Sequence, residues 1–223
     1  MRTSTLVPVV AGLVAVAAIA IAAGPTYSAL TAGADLIVSA GDSTAAGSSG
    51  PIDLVTIDGH EVATRTNDSA AFVPLAADDR YAPGHTFHLE VGVADNDPDV
   101  AAAITVAVVG MDSAGTGVVG TSPNLTPLLR VTVVDTTTGH VLVGHSATDA
   151  SRGAPVADAS ATIAHVTQRD ADPLNDGDRW TDGAAGSRHE LEIMVYCPDS
   201  PAALGLTGGR SDLALMLYGI GQP

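Results

Sequence analysis

The chain has no lysine, a single cysteine and very few aromatic residues, and each shortage closes off a class of protein. With Cys197 alone, no disulfide forms within the chain, so this is not a disulfide-stapled scaffold. A lone Cys reads as a small buried hydrophobe, and an intermolecular bridge is the sharper alternative. Aromatic residues are 3% of the chain, which leaves the core to Val, Ile, Leu and Ala. Nine Arg stand against 25 acidic residues, for a net charge of -16. A surface of that sign repels phosphate backbones, so no nucleic acid is expected as a partner. It favours solubility and attracts divalent cations. The missing lysines also remove the amine that an isopeptide cross-link needs.

What is present begins with an export pattern. Arg2 precedes an uncharged Ala/Val-rich run over 6–24, followed by Pro25 and a polar change. Positive end, apolar centre and small residues after it make a secretory signal, which lies in the membrane before cleavage. A retained anchor is the competing reading, since the run nearly spans a bilayer. Ala22-Ala23-Gly24 and Ala32-Gly33-Ala34 both fit the small-x-small cleavage rule.

The rest of the chain reads as short β-branched runs bounded by Gly, Asp, Asn or Pro. They fall at 36–39, 52–57, 62–66, 85–94, 101–109, 128–134, 140–143, 159–167, 189–197 and 213–218. Phe87, Leu89, Val91 and Val93 share one face, as do Leu191, Ile193 and Val195. Residues 62–66 pair back on 52–57, and 140–143 on 128–134, as hairpins. Residues 67–82 read as irregular with room for a helical turn, 112–126 as a loop, and 169–186 as a long polar insertion. No long amphipathic helix appears. About nine or ten strands at this spacing predict an all-β antiparallel sandwich of jelly-roll type.

Several segments carry a family resemblance. Thr26-Tyr27-Ser28-Ala29 followed by Thr31-Ala32-Gly33-Ala34-Asp35-Leu36 resembles the start of TasA/camelysin-type exported proteins. Ala82-Pro83-Gly84-His85 through Val91, with Ala94-Asp95-Asn96-Asp97, is similar to an internal strand and turn of that family. Residues 186–196 with Pro198-Asp199 are similar to its penultimate strand and the loop after it. The resemblance implies a cut after Ala29, with residues 1–29 as signal peptide and 30–223 as the exported domain. It also implies a jelly-roll-like sandwich and a place at the cell surface. Within the family it points to fibre-forming biofilm-matrix subunits and to a surface metalloprotease.

Chemistry-bearing motifs are few. Gly144-His145-Ser146-Ala147-Thr148 echoes a nucleophile elbow, but Thr148 stands where the second Gly belongs and Pro155 interrupts any following helix. The seven histidines, at 60, 85, 88, 140, 145, 165 and 189, form no H-E-x-x-H pair. They read as surface or hydrogen-bonded side chains. Two acidic loops stand out: Asp95-Asn96-Asp97-Pro98-Asp99, and residues 170–178 with Asp170, Asp172, Asp176 and Asp178. Alternating Asp and Asn in a tight loop suit Ca²⁺, which takes six to eight oxygens. The competing reading is a solvated turn built from ordinary turn residues.

The sequence therefore predicts a secreted or cell-surface structural protein of the envelope or extracellular matrix. Its expected partners are envelope components or its own copies in a strand-exchange filament, through the loosely tethered strand 35–39. The alternatives are a secreted metal-dependent hydrolase and a monomeric calcium-stabilised binding module. N-terminal sequencing of the exported protein is expected to return a start between residues 24 and 35, with Leu30 favoured. An intact Met1 in the membrane fraction would mean a retained anchor.

Overall fold

The computed structural model describes residues 52–65, 70–75, 81–111, 118–119, 122–206 and 208–222. The export segment, the family-like N-terminal stretch and the strand expected at 36–39 lie outside the described residues. In chain order the strands are β1 (Leu54–Ile57), β2 (Ala63–Arg65), β3 (Ala70–Leu75), β4 (Thr86–Asp95), β5 (Ala102–Gly110), β6 (Val118–Val119) and β7 (Ser122–Pro123). They continue as β8 (Arg130–Asp135), β9 (His140–Val143), β10 (Ala154–Pro155), β11 (Ser160–Val166), β12 (Arg188–Tyr196) and β13 (Leu213–Gly221). Among the described residues a short α-helix, α1 (Pro201–Leu204), starts at Ser200, whose hydroxyl accepts from the Ala203 N–H.

The strands form an all-β sandwich. Its larger sheet runs β10-β8-β12-β4-β1-β2, with β9 also on β8. The smaller runs β11-β5-β13-β3, and β6 and β7 make a separate ribbon. All paired strands are antiparallel. From β3 to β5, and from β11 to β13, each strand crosses to the other sheet, as jelly-roll chains do.

Period-two alternation places the core. Val91 and Val93 of β4, Val131 and Val133 of β8, and Leu191, Ile193 and Val195 of β12 point in from the larger sheet. Ile104, Val106 and Val108 of β5 meet them from the smaller sheet, with Leu213, Leu215 and Leu217 of β13. Cys197 is buried in the same cluster and has no disulfide. The turns are set by side chains. Asp58 accepts from the His60 and Val62 N–H groups to close β1 onto β2. Asp135 accepts from Thr137 and Thr138 N–H to start the β8–β9 turn, where Gly139 takes φ 74°.

Three expectations change. Residues 70–75, expected within an irregular stretch, are an edge strand paired with β13. Ala71, Val73 and Leu75 alternate inward there, and Pro74, which cannot donate to a ladder, is tolerated at a sheet edge. The loop expected over 112–126 contains β6 and β7. Among the described residues nine strands were expected and thirteen are present: β3 is added, as are β6, β7 and β10, two-residue pieces too short to leave a periodic signal.

Gly153 lies against β8, so that a Cβ there would stand 2.7–2.8 Å from the backbone O, C and N of Val131. Rigid backbone cannot yield as a side-chain tip can. Gly153→Ala is expected to lower unfolding stability by about 1–3 kcal/mol in urea titration. Gly59→Ala, where a Cβ meets nothing within 4 Å, should stay within about 0.5 kcal/mol of the parent.

Candidate functional site

The densest polar cluster gathers where β1, β2, β4 and β12 meet the insertion over 169–186. That insertion is a cover. Its turn at 175–178 bonds to β2 through Ala63 N–H to Asp178 O (2.9 Å) and Gly177 N–H to Ala63 O (2.9 Å). Trp180 N–H donates to Glu61 O (2.8 Å). These bonds occupy backbone groups of an edge strand that would otherwise be open to pairing. Leu174 and Trp180 then cover Val55, Ile57, Ala63 and Ala94 on the outer face of the larger sheet.

Asn96 joins the two acidic loops. It is fully buried, and its side-chain amide donates to Asp53 Oδ2 (2.8 Å) and to Leu174 O (3.0 Å). Its carbonyl oxygen accepts from Leu174 N–H (2.8 Å). Arg169 N–H donates to Asp97 O (2.8 Å) a few residues away. Asp53 also holds Arg65, whose Nε lies 3.1 Å from Oδ1 and whose Nη2 lies 2.8 Å from Oδ2.

Arg169 is the largest fully buried side chain. Its Nε donates to Asp172 O (3.0 Å) and its Nη2 to Thr181 O (2.8 Å) and Oγ1 (2.7 Å), while Nη1 is buried without a partner. Its guanidinium lies 4.7 Å from the Trp180 ring centroid, and that of Arg188 lies 5.2 Å from it. Arg188 in turn grips Glu61 at 2.6 and 3.0 Å and pairs with Glu190. Burial lowers the Arg169 pKa, while hydrogen bonding to Glu61 raises that of Arg188.

Of the four residues expected to bind calcium, Asp176 and Asp178 use their carboxylates in hydrogen bonds and Asp172 its backbone carbonyl. Asp170 is exposed and takes φ 53°. The Asp172 carbonyl serves Arg169. Asp176 Oδ1 accepts from Arg65 N–H (3.2 Å), and Asp178 Oδ2 accepts from Asn175 N–H (2.7 Å) and Nδ2 (3.2 Å). In the other loop Asp97 Oδ1 accepts from Asp99 and Val100 N–H. Among the described residues no group of three or more His, Cys, Asp or Glu side chains is gathered for a metal.

Asp95 differs from all of these. It is fully buried; Oδ1 accepts from Asp97 N–H (2.9 Å), and Oδ2 has no partner. Burial, joined by the charges of Asp97 and Asp53, pushes its pKa up to about 7.

A second buried couple is Asp135 with His189, 2.8 Å apart from Oδ2 to Nδ1. The same carboxylate accepts from the Thr138 hydroxyl (2.7 Å) and two turn N–H groups. Burial alone would raise its pKa, but hydrogen bonds from Thr138 and His189 hold it below the usual value. The pair thus fastens the β8–β9 turn to β12. Ser146, in the elbow-like run, accepts from the Thr148 and Asp149 N–H groups, and a three-residue 3-10 turn follows. That is turn chemistry.

A shallow, mainly apolar cavity of about 350 Å³ lies elsewhere, lined by Tyr81, Pro83, Leu125, Leu204, Leu206 and Arg210 among others. The Tyr81 hydroxyl is buried without a partner, and burial, then the charge of Asp212, pushes its pKa up to about 12.

From sequence Asn96 reads only as one member of an acidic loop, and Arg169 and Trp180 only as parts of a polar insertion. A buried Asn and a turn Asn look alike in a string of Asp, Asn and Pro. The only tryptophan in the chain, set between Arg179 and Thr181 in a polar insertion, was the available signal. No family model matches the chain, and no curated protein or solved structure matches it.

Asp95 sets a pH test. A carboxyl whose pKa is raised by folding stabilises the fold at low pH, and that contribution is lost as pH rises through the folded value. Unfolding free energy should therefore fall between about pH 4 and pH 7, by up to about 4 kcal/mol at roughly 1.4 kcal/mol per pKa unit. Asp95→Asn is expected to flatten that slope and to be the more stable protein at pH 8 in parallel denaturant titrations.

Proposed function

We propose that the protein is an exported structural and interaction domain of the cell envelope or extracellular matrix, acting through its sheet surfaces. The observation that supports this reading is the segregation of charge between the two sheets. β4, β8 and β12 carry Glu90, Asp95, Arg130, Asp135, Arg188, Glu190 and Glu192, whereas β3, β5, β11 and β13 contain no Asp, Glu, Lys or Arg. In a chain of net charge -16, a whole sheet without ionised side chains is a surface suited to contact. The export pattern and the TasA/camelysin resemblance supply the location and the matrix-forming role.

A calcium-stabilised form of this reading draws on the joining of the two acidic loops by Asn96 and Arg169. An ion bound near Asp170, Asp172, Asp176 and Asp178 would brace the insertion over β2. Bound at a hundredfold excess over Kd, it would add about 2.7 kcal/mol of stability.

Fractionation of producing cells tests both parts. The chain is expected in the medium, matrix or envelope fraction. Release from the envelope by a chelator, but not by sodium chloride of equal ionic strength, would assign retention to a divalent cation. Recovery in the cytoplasm alone would overturn the exported reading.

A further inference from the structure

Three loop segments converge around the cavity of about 350 Å³. Residues 81–83 lead into β4, Leu125 leads toward β8, and the segment 203–210 joins β12 to β13. β12 runs antiparallel to both β4 and β8, so the three segments meet at one end of the larger sheet. Short backbone bonds fix the walls. Leu125 N–H donates to Arg210 O (2.7 Å), Arg210 N–H to Pro123 O (2.8 Å), and Gly209 N–H to Leu206 O (2.7 Å). The Thr126 and Ser211 hydroxyls bond to each other at 2.7 Å. At Gly209 a Cβ would stand 2.8 Å from Leu125 Cγ, so the loop lies against Leu125 as closely as a residue without a side chain allows. The cleft is thus built by backbone bonding, and its volume falls at the small end of the range of about 300–1,000 Å³ usual for ligand sites.

Among the described lining residues only Tyr81 and Arg210 have polar side chains. Tyr81 is 5% exposed, and its ring packs edge-on against Phe87 with the centroids 6.2 Å apart. Its hydroxyl is buried and has no partner among the described residues. Such a group costs stability, whereas phenylalanine at the same place would keep the ring packing and remove the cost. The hydroxyl is therefore a burden to the free protein and an asset only to a molecule that pairs with it. Burial, then the charge of Asp212, pushes its pKa up to about 12, so it stays protonated and able to donate at neutral pH. The charges around it select an uncharged partner. Arg210 repels a cation, and Asp212, close enough to act on the Tyr81 hydroxyl, repels an anion. The net charge of -16 adds to the second effect.

We propose that this cleft binds a small uncharged amide with an aliphatic side chain, its carbonyl oxygen accepting from the Tyr81 hydroxyl. The aliphatic group lies against Leu125, Leu204 and Leu206, which line the cleft. Arg210 stands at the exposed side and offers further N–H donors to the same polar group. The contact is noncovalent throughout. Binding here depends neither on where the protein is located nor on its sheet surfaces. A ligand of about twelve non-hydrogen atoms is expected to bind with a Kd of about millimolar or tighter.

Calorimetric titration of the purified full chain with N-acetyl-leucinamide tests this. Saturable binding of one molecule per chain is expected, at least fivefold tighter than that of N-acetyl-leucine, whose carboxylate is ionised at neutral pH. Tyr81→Phe should weaken amide binding at least fivefold, while its melting temperature stays equal or rises because the unpaired hydroxyl is gone. Ala82→Trp, at an exposed position on the cleft, should fill the mouth and weaken binding at least tenfold. Circular dichroism establishes that this variant is folded, and Tyr81→Phe suffices where it is not. Absence of saturable binding overturns the proposal, as does binding of the carboxylate within fivefold of the amide. So does amide binding that Tyr81→Phe leaves within fivefold of the parent, or that a folded Ala82→Trp leaves within tenfold. A lower melting temperature in Tyr81→Phe would give the hydroxyl a partner in the free protein and overturns it as well.

Discussion

The burial of one aliphatic layer between two sheets is the constraint on which everything else in this molecule depends. With few aromatic residues, the layer is made of Val, Ile and Leu, whose branched side chains fill a pleated interface only when many strands contribute. β12 is the organising strand. It pairs along its full length with β4 and along six residues with β8. Leu191, Ile193 and Val195 thus lie at the centre of the larger sheet, opposite Leu213, Leu215 and Leu217. Each fully buried Leu or Ile contributes about 1.5–3 kcal/mol relative to exposure. No other interaction here approaches the sum of such terms.

Polar residues hold the margins of that layer. Where the strands of the larger sheet run out, their ends are closed by fully or nearly fully buried side chains: Asp95 at the end of β4 with Asn96 after it, Asp135 at the end of β8, His189 near the start of β12. Asn96 and Asp135 are well satisfied, and each fastens a loop to a strand. Asp95 and Arg169 are not fully satisfied, since each keeps one buried polar atom without a partner. Such atoms cost free energy; those of Asp95 and Arg169 lie close to the insertion, and those of Tyr81 and Thr132 lie elsewhere in the fold. The insertion in turn shields β2, the exposed edge of the larger sheet. A polar loop thereby does for one edge what charge or proline does for others.

The two sheets meet solvent in opposite ways. The larger one presents a hydrogen bond between His88 and Glu192 at 3.0 Å and an ion pair between Arg188 and Glu61 at 2.6 Å. Exposed pairs of this kind add little stability, but they keep that side wet and soluble. The smaller sheet has no such groups on its strands, and its edge strand β3 presents Phe72 beside Met216. A protein with this much negative charge has placed its neutral surface on one side only. The proposed surface-interaction role draws on that asymmetry.

The sequence by itself determined the all-β class, most strand positions and the two short hairpins. Each rests on local signals: period-two alternation and turn residues such as Asp58, Gly59 and Gly139. It missed β3, because Pro74 and the small residues around it obscure the alternation, and it could not separate two-residue strands from loop. The two acidic loops were legible as loops, but not their contact. Asn96 and Leu174 are 78 positions apart, and only the folding of β4 and β12 side by side brings them together. Whether an acidic residue serves as a turn cap, an ion partner or a buried acid depends on neighbours supplied by other strands. Asp176 accepts from the Arg65 N–H of β2, Asp53 pairs with Arg65, and Asp95 lies buried, each through such neighbours. The same holds for the uncharged strands. Their composition was visible from the start, but only pairing β3, β5, β11 and β13 into one sheet turned four neutral segments into a continuous surface.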